Sequence, residues 1–386
     1  MKKVIRYFIF ILIFFLLLSS DRAPINGHHF EYYSNGKIML EENYKDGKLS
    51  GNVKKYFPTG ELMSEWVYAL GKKNGPFKIY YANGRVNSEG YYKDDKLEGL
   101  GKGYYESGKL HRSVMMKDDF STGPFIEYFE NGKPYLIGQC VNNLLEGLLK
   151  EFYDTGQLFR EYNYHNAKLD GASKVYYKNG DIKGVGVYKL GKENGIFKEF
   201  FPDGNVSVLQ TYKNGKLNGI SREYYKNGQW KSVYNYKDGL LNGEAKEYYQ
   251  DGSLKRKMYY LNDELLGTMK TYYPGGAIKG YANYQYNQLN GVSKSFSETG
   301  ALLVEANFKG DLLAKISKEF YPSGEIQKIV EQKDDGITSI VTEYYLNGVL
   351  RKESVYELDK LISSKEYDTS GKLIPELPAD EKETDQ

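Results

Sequence analysis

Short runs of alternating apolar and polar residues fill the chain after residue 20, and a glycine-containing break follows each run. In "REYYKNGQWKSVYNYKDGLLNG" (residues 222–243), such runs flank Asn227-Gly228, and a second break follows at Asp238-Gly239. Alternation with a period of two is typical of half-buried β-strands. Asn-Gly and Asp-Gly accept the positive φ of tight hairpin turns. No apolar stripe of helical period follows Leu18, so the pattern predicts antiparallel hairpins.

One glycine recurs every 24 residues through almost the whole chain. The step meets glycine at fourteen successive positions from Gly36 to Gly348, without an insertion or deletion. A second glycine keeps the step from Gly27 to Gly291, and paired aromatics such as Tyr224-Tyr225 form a third column. One hairpin is not stable alone, whereas stacked repeats bury a continuous core. The sequence therefore predicts an all-β fold: an extended antiparallel β-hairpin meander, a single twisted sheet of about 14 repeats of 24 residues.

The chain begins with a segment typical of an export signal. Three basic residues precede the apolar run "YFIFILIFFLLL" (residues 7–18), and two serines follow it. This run suits a cleaved signal peptide and is shorter than the ~20 apolar residues of a membrane span, while an uncleaved anchor stays open. The predicted organisation is a signal peptide or N-terminal anchor (1–20), a short linker (21–26), tandem repeats (27–371) and an acidic disordered tail (372–386). We expect the protein at the cell surface, in the periplasm or outside the cell.

Composition argues against several kinds of site. The formal net charge is only +2, so no nucleic-acid partner is expected. The single cysteine, Cys140, excludes an internal disulfide and a multi-cysteine zinc site. His28 and His29 are adjacent, but no further ligands follow at metal-binding spacing. The sequence contains neither a P-loop nor a G-x-S-x-G turn, and it predicts no catalytic residue, no metal and no cofactor.

A basic residue recurs three positions after the second glycine, and an aromatic residue follows two positions later. Because strand side chains alternate, both should lie on one face, whereas the intervening residue, often glutamate, points the other way. The ladder could simply keep the sheet soluble, or it could bind a polyanionic glycan or an acidic membrane surface, each lysine contributing ~1 kcal/mol. The candidate binding residues are Lys54, Lys78, Lys102, Lys150, Lys174, Lys198, Arg222, Lys246, Lys270, Lys294, Lys318, Tyr56, Tyr80, Tyr104, Tyr176, Tyr224, Tyr248 and Tyr272.

Three segments share the motif Y-x-x-G-x-x-x-G: "YKDGKLSG" (44–51), "YKNGKLNG" (212–219) and "YKDGLLNG" (236–243). The motif resembles the MORN repeat, in the divergent bacterial form found in YwqK-type antitoxin proteins. The resemblance covers roughly residues 27–371. It implies an array of β-hairpins that binds other proteins or membrane surfaces, and secreted arrays of this kind imply contact with host cells.

The preferred hypothesis is an exported, non-catalytic repeat scaffold that binds a partner protein or a surface, possibly that of a host cell. Many weak repeated contacts would add up to avidity. One alternative is an antitoxin-like intracellular protein that binds a partner, and another is an array that binds membranes or polyanions through the lysine–aromatic ladder. A hydrolase would require one repeat whose polar residues break the pattern in a catalytic arrangement, and the most divergent repeats, around Gly132 and Gly300, supply none.

Overall fold

The computed structural model describes residues 26–375. The predicted export signal, nearly all of the predicted linker and most of the acidic tail lie outside the described residues. Every regular element between residues 26 and 375 is a strand. In this part of the chain there is accordingly no helix of the length and apolarity that crossing a membrane requires.

The chain divides into two compact units. The first comprises residues 26–145 and 154–156 of the described chain. Its strands follow one another as β1 (Gly27–Tyr32), β2 (Ile38–Lys45), β3 (Lys48–Leu49), β4 (Gly51–Tyr56), β5 (Leu62–Ala69), β6 (Lys72–Tyr80), β7 (Val86–Lys93), β8 (Lys96–Tyr104), β9 (Leu110–Lys117), β10 (Phe120–Tyr128) and β11 (Pro134–Val141).

Strand β12 (Leu144–Phe152) begins in the last residues of the first unit, and the second unit comprises residues 146–153 and 157–375 of the described chain. Its further strands are β13 (Leu158–His165), β14 (Lys168–Tyr176), β15 (Ile182–Lys189), β16 (Lys192–Glu193), β17 (Gly195–Phe200), β18 (Val206–Lys213), β19 (Lys216–Leu217), β20 (Gly219–Tyr224), β21 (Trp230–Lys237), β22 (Leu240–Leu241), β23 (Gly243–Tyr248), β24 (Leu254–Leu261), β25 (Glu264–Leu265), β26 (Gly267–Tyr272), β27 (Ile278–Gln285), β28 (Gln288–Phe296), β29 (Leu302–Lys309), β30 (Leu312–Phe320), β31 (Ile326–Gln332), β32 (Thr338–Tyr344), β33 (Leu350–Glu357), β34 (Lys360–Tyr367) and β35 (Leu373–Ile374).

Within each unit, strands that are neighbours in the sequence pair antiparallel, which confirms the predicted all-β hairpin fold. In the hairpin of β20 and β21 the register runs from Gly219 opposite Tyr236 to Tyr224 opposite Trp230, with a bulge beside Tyr224. The Gly228 N–H closes the turn on the Tyr225 carbonyl at 2.9 Å, and Gly228 has a φ of 83°. Glycine adopts that left-handed conformation without the steric cost of a side chain, which explains its recurrence every 24 residues.

The turn between one repeat and the next uses a second device where it lacks glycine. Asp94 and Asp95 both have positive φ, at 49° and 69°. The Asp95 carboxylate accepts the backbone N–H of Lys73 at 2.7 Å, which joins the turn to the preceding repeat. Asp119, Asn143, Asp263, Asn287 and Asp311 accept the equivalent bond. A short polar side chain thus offsets strain that glycine would have avoided.

The core lies on one side of each unit's sheet, here called the core face. Buried side chains of the first unit include Val53, Phe77 and Phe125, and those of the second include Leu149 and Met258. Each buried side chain of that size contributes about 1.5–3 kcal/mol relative to an exposed one.

Large residues on the core face lie against small ones. The Phe197 ring lies over Gly186, where a Cβ would come within 2.2 Å of the ring. Tyr188 and Tyr212 flank the same ring, with centroids at 5.4 and 5.1 Å. The tyrosine column thus covers the central row of the core from both sides.

The second aromatic residue of each pair joins neighbouring repeats on the core face. The Tyr225 hydroxyl donates to the Tyr248 carbonyl at 2.9 Å, one repeat further along the chain. The same bond, called here the tyrosine clamp, is made by Tyr33, Tyr81, Tyr105, Tyr153, Tyr177, Tyr249, Tyr273, Tyr321 and Tyr345. Phe57, Phe201 and Ser297 stand in the same column without a hydroxyl placed to make it.

We predict that Tyr225→Phe lowers the free energy of unfolding, because it leaves the Tyr248 carbonyl without its donor. A hydrogen bond of this kind contributes about 0.5–1.5 kcal/mol. Phe201→Tyr is the matched reverse change, and we expect it to raise stability by a similar amount. Urea unfolding followed by circular dichroism measures both. Equal stability of the Tyr225→Phe and wild-type proteins would show that the clamp contributes nothing.

Candidate binding face

The lysine ladder lies on the side of each sheet opposite to the core, here called the ladder face. The first aromatic residue of each pair is on this face too, because the Tyr56 hydroxyl donates to Glu41 at 2.9 Å and Glu41 lies directly opposite Lys54. The residue between cation and aromatic points to the core face. Glu151, for example, accepts a bond from Arg160 Nε at 2.5 Å there.

In the first unit, carboxylates neutralise the ladder. Cross-strand pairing produces the row Glu41, Lys54, Glu65, Lys78, Glu89 and Lys102, in which acids and bases alternate. Lys54 Nζ lies 3.7 Å from Glu41, and Lys102 Nζ lies 3.3 Å from Glu89. Such part-exposed pairs contribute little stability, but they leave this row with no net charge.

The same carboxylates also bind the tyrosines of the ladder face. Tyr104 donates its hydroxyl to Glu89 at 2.6 Å, and Tyr80 donates to Glu65 at 2.6 Å. Burial, followed by the bond to the carboxylate, raises the pKa of each tyrosine to about 12. In return, the Tyr104 hydroxyl and the Lys102 ammonium lower the pKa of Glu89. The first-unit row is therefore a closed hydrogen-bonded network.

In the second unit the carboxylates are missing from the middle of the row. Cross-strand pairing places apolar or aromatic residues between the cations, and the row reads Lys174, Val185, Lys198, Leu209, Arg222, Val233, Lys246, Lys257, Lys270, Tyr281 and Lys294. Strands lie ~4.8 Å apart, so cations separated by one strand are ~10 Å apart. We call this stretch of the ladder face the basic segment.

Acidic partners stand at the ends of the basic segment and at one point beside it. Lys150 Nζ lies 3.6 Å from Glu161 before the segment, and Lys294 Nζ lies 3.1 Å from Glu305 at its end. Glu244, in the adjacent row, pairs with Lys246 and with Lys257, the latter at 2.6 Å. The segment therefore holds seven cations and no acid in its own row.

Exposed apolar side chains flank the basic segment. Ile196 is 53% exposed and Val187 42%, and both belong to the row beside Lys198. On the other side Trp230 is 46% exposed, and the Arg222 guanidinium lies 5.9 Å from the centroid of its ring. Apolar area next to unneutralised cations suits a partner that offers negative charge and apolar contact together.

The candidate residues thus fall into two environments. Lys54, Lys78 and Lys102 alternate with glutamates, and Tyr56, Tyr80, Tyr104 and Tyr176 donate to glutamates. Lys318 lies opposite Glu305. The cations of the basic segment, by contrast, have apolar neighbours in their row, and Tyr224, Tyr248 and Tyr272 line the adjacent aromatic column.

Sequence reasoning missed Lys257, which extends the basic segment, and the glutamates of the first-unit row. The recurrence of Glu41, Glu65 and Glu89 at a step of 24 was the signal that could have revealed the glutamates. Between residues 26 and 375, no group of three or more His, Cys, Asp or Glu side chains is arranged to hold a metal ion.

We predict that Glu89→Gln lowers the pKa of Tyr104 from about 12 part of the way towards 10. Burial is the larger cause of the shift, so only the part due to the carboxylate is lost. Because the folded-state pKa lies above that of free tyrosine, this stabilisation is present below pH ~10 and is lost as the pH rises towards ~12.

Titration of ¹³Cζ-labelled tyrosine by NMR measures this pKa. Tyr176 provides the internal control, because it bonds to Glu161 and has a pKa of about 12 that the substitution should leave unchanged. An unchanged Tyr104 titration in the Glu89→Gln variant would contradict the role given to the carboxylate.

Comparison with known proteins supports the repeat structure. The family described as MORN repeat variant matches eleven segments: residues 25–46, 49–69, 73–94, 97–118, 145–166, 169–190, 193–214, 217–238, 241–262, 265–286 and 289–309. No curated protein matches the chain. MORN repeats generally mediate binding to proteins or membranes.

Among solved structures, the crystal structure of TcdB2-TccC3 matches with 13% identity and a TM-score of 0.17, over 90% of this chain and 18% of that one. A Photorhabdus luminescens Tc holotoxin pore matches with 13% identity and a TM-score of 0.16, over 90% and 18%. The chain thus spans less than a fifth of these chains, and TM-scores at this level carry no argument. The eleven segments matched by the repeat family extend over more than half of the sequence, and the chain therefore belongs to the MORN repeat family, in its variant form.

Proposed function

We propose that the chain is a non-catalytic binding scaffold, and that the basic segment of the second unit binds a partner with an anionic surface. The observation that carries this proposal is the row of seven cations from Lys174 to Lys294 with no carboxylate in the row. The first-unit row, built from the same repeat, alternates acid and base and serves as an internal comparison.

The physical argument concerns desolvation and repeated spacing. A lysine already paired with glutamate must give up that partner before it can bind an anion, whereas the cations of the basic segment mostly need not. Cations at a regular ~10 Å spacing bind a partner through many weak contacts, whose free energies add when the partner spans several of them. The exposed side chains of Ile196, Ile220 and Trp230 supply apolar contact beside them.

The proposal includes export to the cell surface, periplasm or exterior, where the anionic partner would be a protein or surface, including that of a host cell. Its support is the sequence of residues 1–20. Mass spectrometry of the mature N-terminus and protease treatment of intact cells test it. Cleavage near Ser20 together with loss of the protein on protease treatment is the expected result. A protected protein that retains Met1 would instead favour an antitoxin-like intracellular partner.

We predict that Lys198→Gln, Arg222→Gln and Lys270→Gln together weaken binding to anionic probes by up to about a hundredfold. Each cation near an anionic surface contributes ~1 kcal/mol, and ~1.4 kcal/mol corresponds to a tenfold change. Sedimentation with phosphatidylserine-containing vesicles and fluorescence titration with poly-glutamate measure the effect, and the comparison of the two probes distinguishes a lipid surface from an acidic protein.

The matched control replaces Lys54, Lys78 and Lys102 by Gln, which removes the same charge from the first unit. We expect it to change binding less than about threefold, because those lysines are already neutralised. Wild-type binding should also fall steeply between about 50 and about 500 mM salt. Salt-insensitive binding, or an equal loss in the two triple variants, would rule out the basic segment as the binding surface.

A further inference from the structure

The core face of the first unit contains a pocket where the row of buried side chains is interrupted. Gly90 on β7 and Gly101 on β8 are adjacent, and a Cβ at Gly90 would lie 3.7 Å from Gly101 Cα. In the column of Gly101, the preceding and following repeats carry Phe77 and Phe125, both buried. The pocket therefore occupies the position where this repeat lacks the side chain that its neighbours supply.

Flat surfaces and apolar groups enclose this space of about 360 Å³. Its floor is formed by the peptide groups of Gly90 and Gly101, and its walls include Phe77, Val114 and Met116, which are no more than 7% exposed. A Cβ at Gly101 would meet its nearest neighbours, Val114 and Met116, at 3.7–3.8 Å, which is ordinary contact. The glycine is thus not required by close packing.

The rim of the pocket is polar and held in place. His111 lies at the rim, and its ring packs on Tyr105 with centroids 4.4 Å apart. Tyr81 is fixed by its tyrosine clamp to the Tyr104 carbonyl at 2.7 Å. Asn87 also lines the pocket. These groups provide hydrogen-bonding atoms at the mouth of an otherwise apolar space.

We propose that this pocket binds the planar aromatic side chain of a tryptophan or tyrosine from a protein partner. A floor of peptide planes and a phenylalanine wall fit a flat ring, and the polar rim can satisfy an indole N–H or a phenol O–H. The volume is near the lower limit for small-ligand sites, so it suits a single ring. An aromatic side chain that fills a desolvated pocket is the usual form of an interface hot spot. The inference rests on the binding function proposed above.

Filling the pocket tests the proposal. Gly101 is not among the residues with positive φ, and Gly101→Phe restores the side chain that Phe77 and Phe125 supply in the adjoining repeats. We expect the variant to unfold at the same temperature as the wild type or higher, and to bind the probe N-acetyl-5-fluorotryptophanamide at least tenfold more weakly. ¹⁹F NMR titration of the full chain measures this binding. Met269→Phe, in the same column of the second unit, is the matched control and should bind like the wild type.

Three results would overturn the proposal: no saturable binding of the probe to the wild type, equal binding to the Gly101→Phe variant, or equal binding of N-acetyl-leucinamide, which has no ring. Binding of 5-fluoroindole at least tenfold tighter than the amide would overturn the peptide source and assign the pocket to a free aromatic compound. Gly101→Phe leaves the basic segment intact and should bind anionic vesicles like the wild type. Failure at the pocket is therefore distinguishable from failure of the proposed function.

Discussion

Antiparallel pairing between consecutive strands, with two main strands to every 24 residues, is the constraint on which the rest of the structure depends. It places residues 24 apart in one row across the sheet, two strands from each other. Each column of the sequence therefore becomes a row on one face. A substitution in one repeat changes the character of that row locally, while the hydrogen-bonded ladder around it stays the same.

The ladder face shows what this arrangement permits. The first unit has glutamate opposite each lysine, and the second has valine or leucine at several of the same positions. Both choices suit a strand, and valine suits it better than glutamate. The backbone is therefore indifferent to whether the row is neutral or basic, and the charge of each stretch is free to follow the needs of binding.

The fold could be predicted from the sequence because its signals are local and repeated. Glycine at the turn column needs only its φ to be recognised, and the lysine–aromatic spacing follows from strand alternation. The partners of the lysines could not be predicted, because they lie on the other strand of each pair, beyond a bulge such as that at Tyr56. The pocket was missed for a similar reason: Gly90 and Gly101 become neighbours only through the register shift that follows Glu89.

The tyrosine clamp gives the sheet an uneven mechanical character. Where a clamp is present, opening one repeat also breaks a bond to the next, so the two tend to open together. Phe57, Phe201 and Ser297 lack this connection, and Ser297 instead turns its hydroxyl to the nearby Ala301 N–H at 3.0 Å. Under tension along the chain, or in slow hydrogen exchange, these positions would mark the seams between blocks of repeats that separate as units.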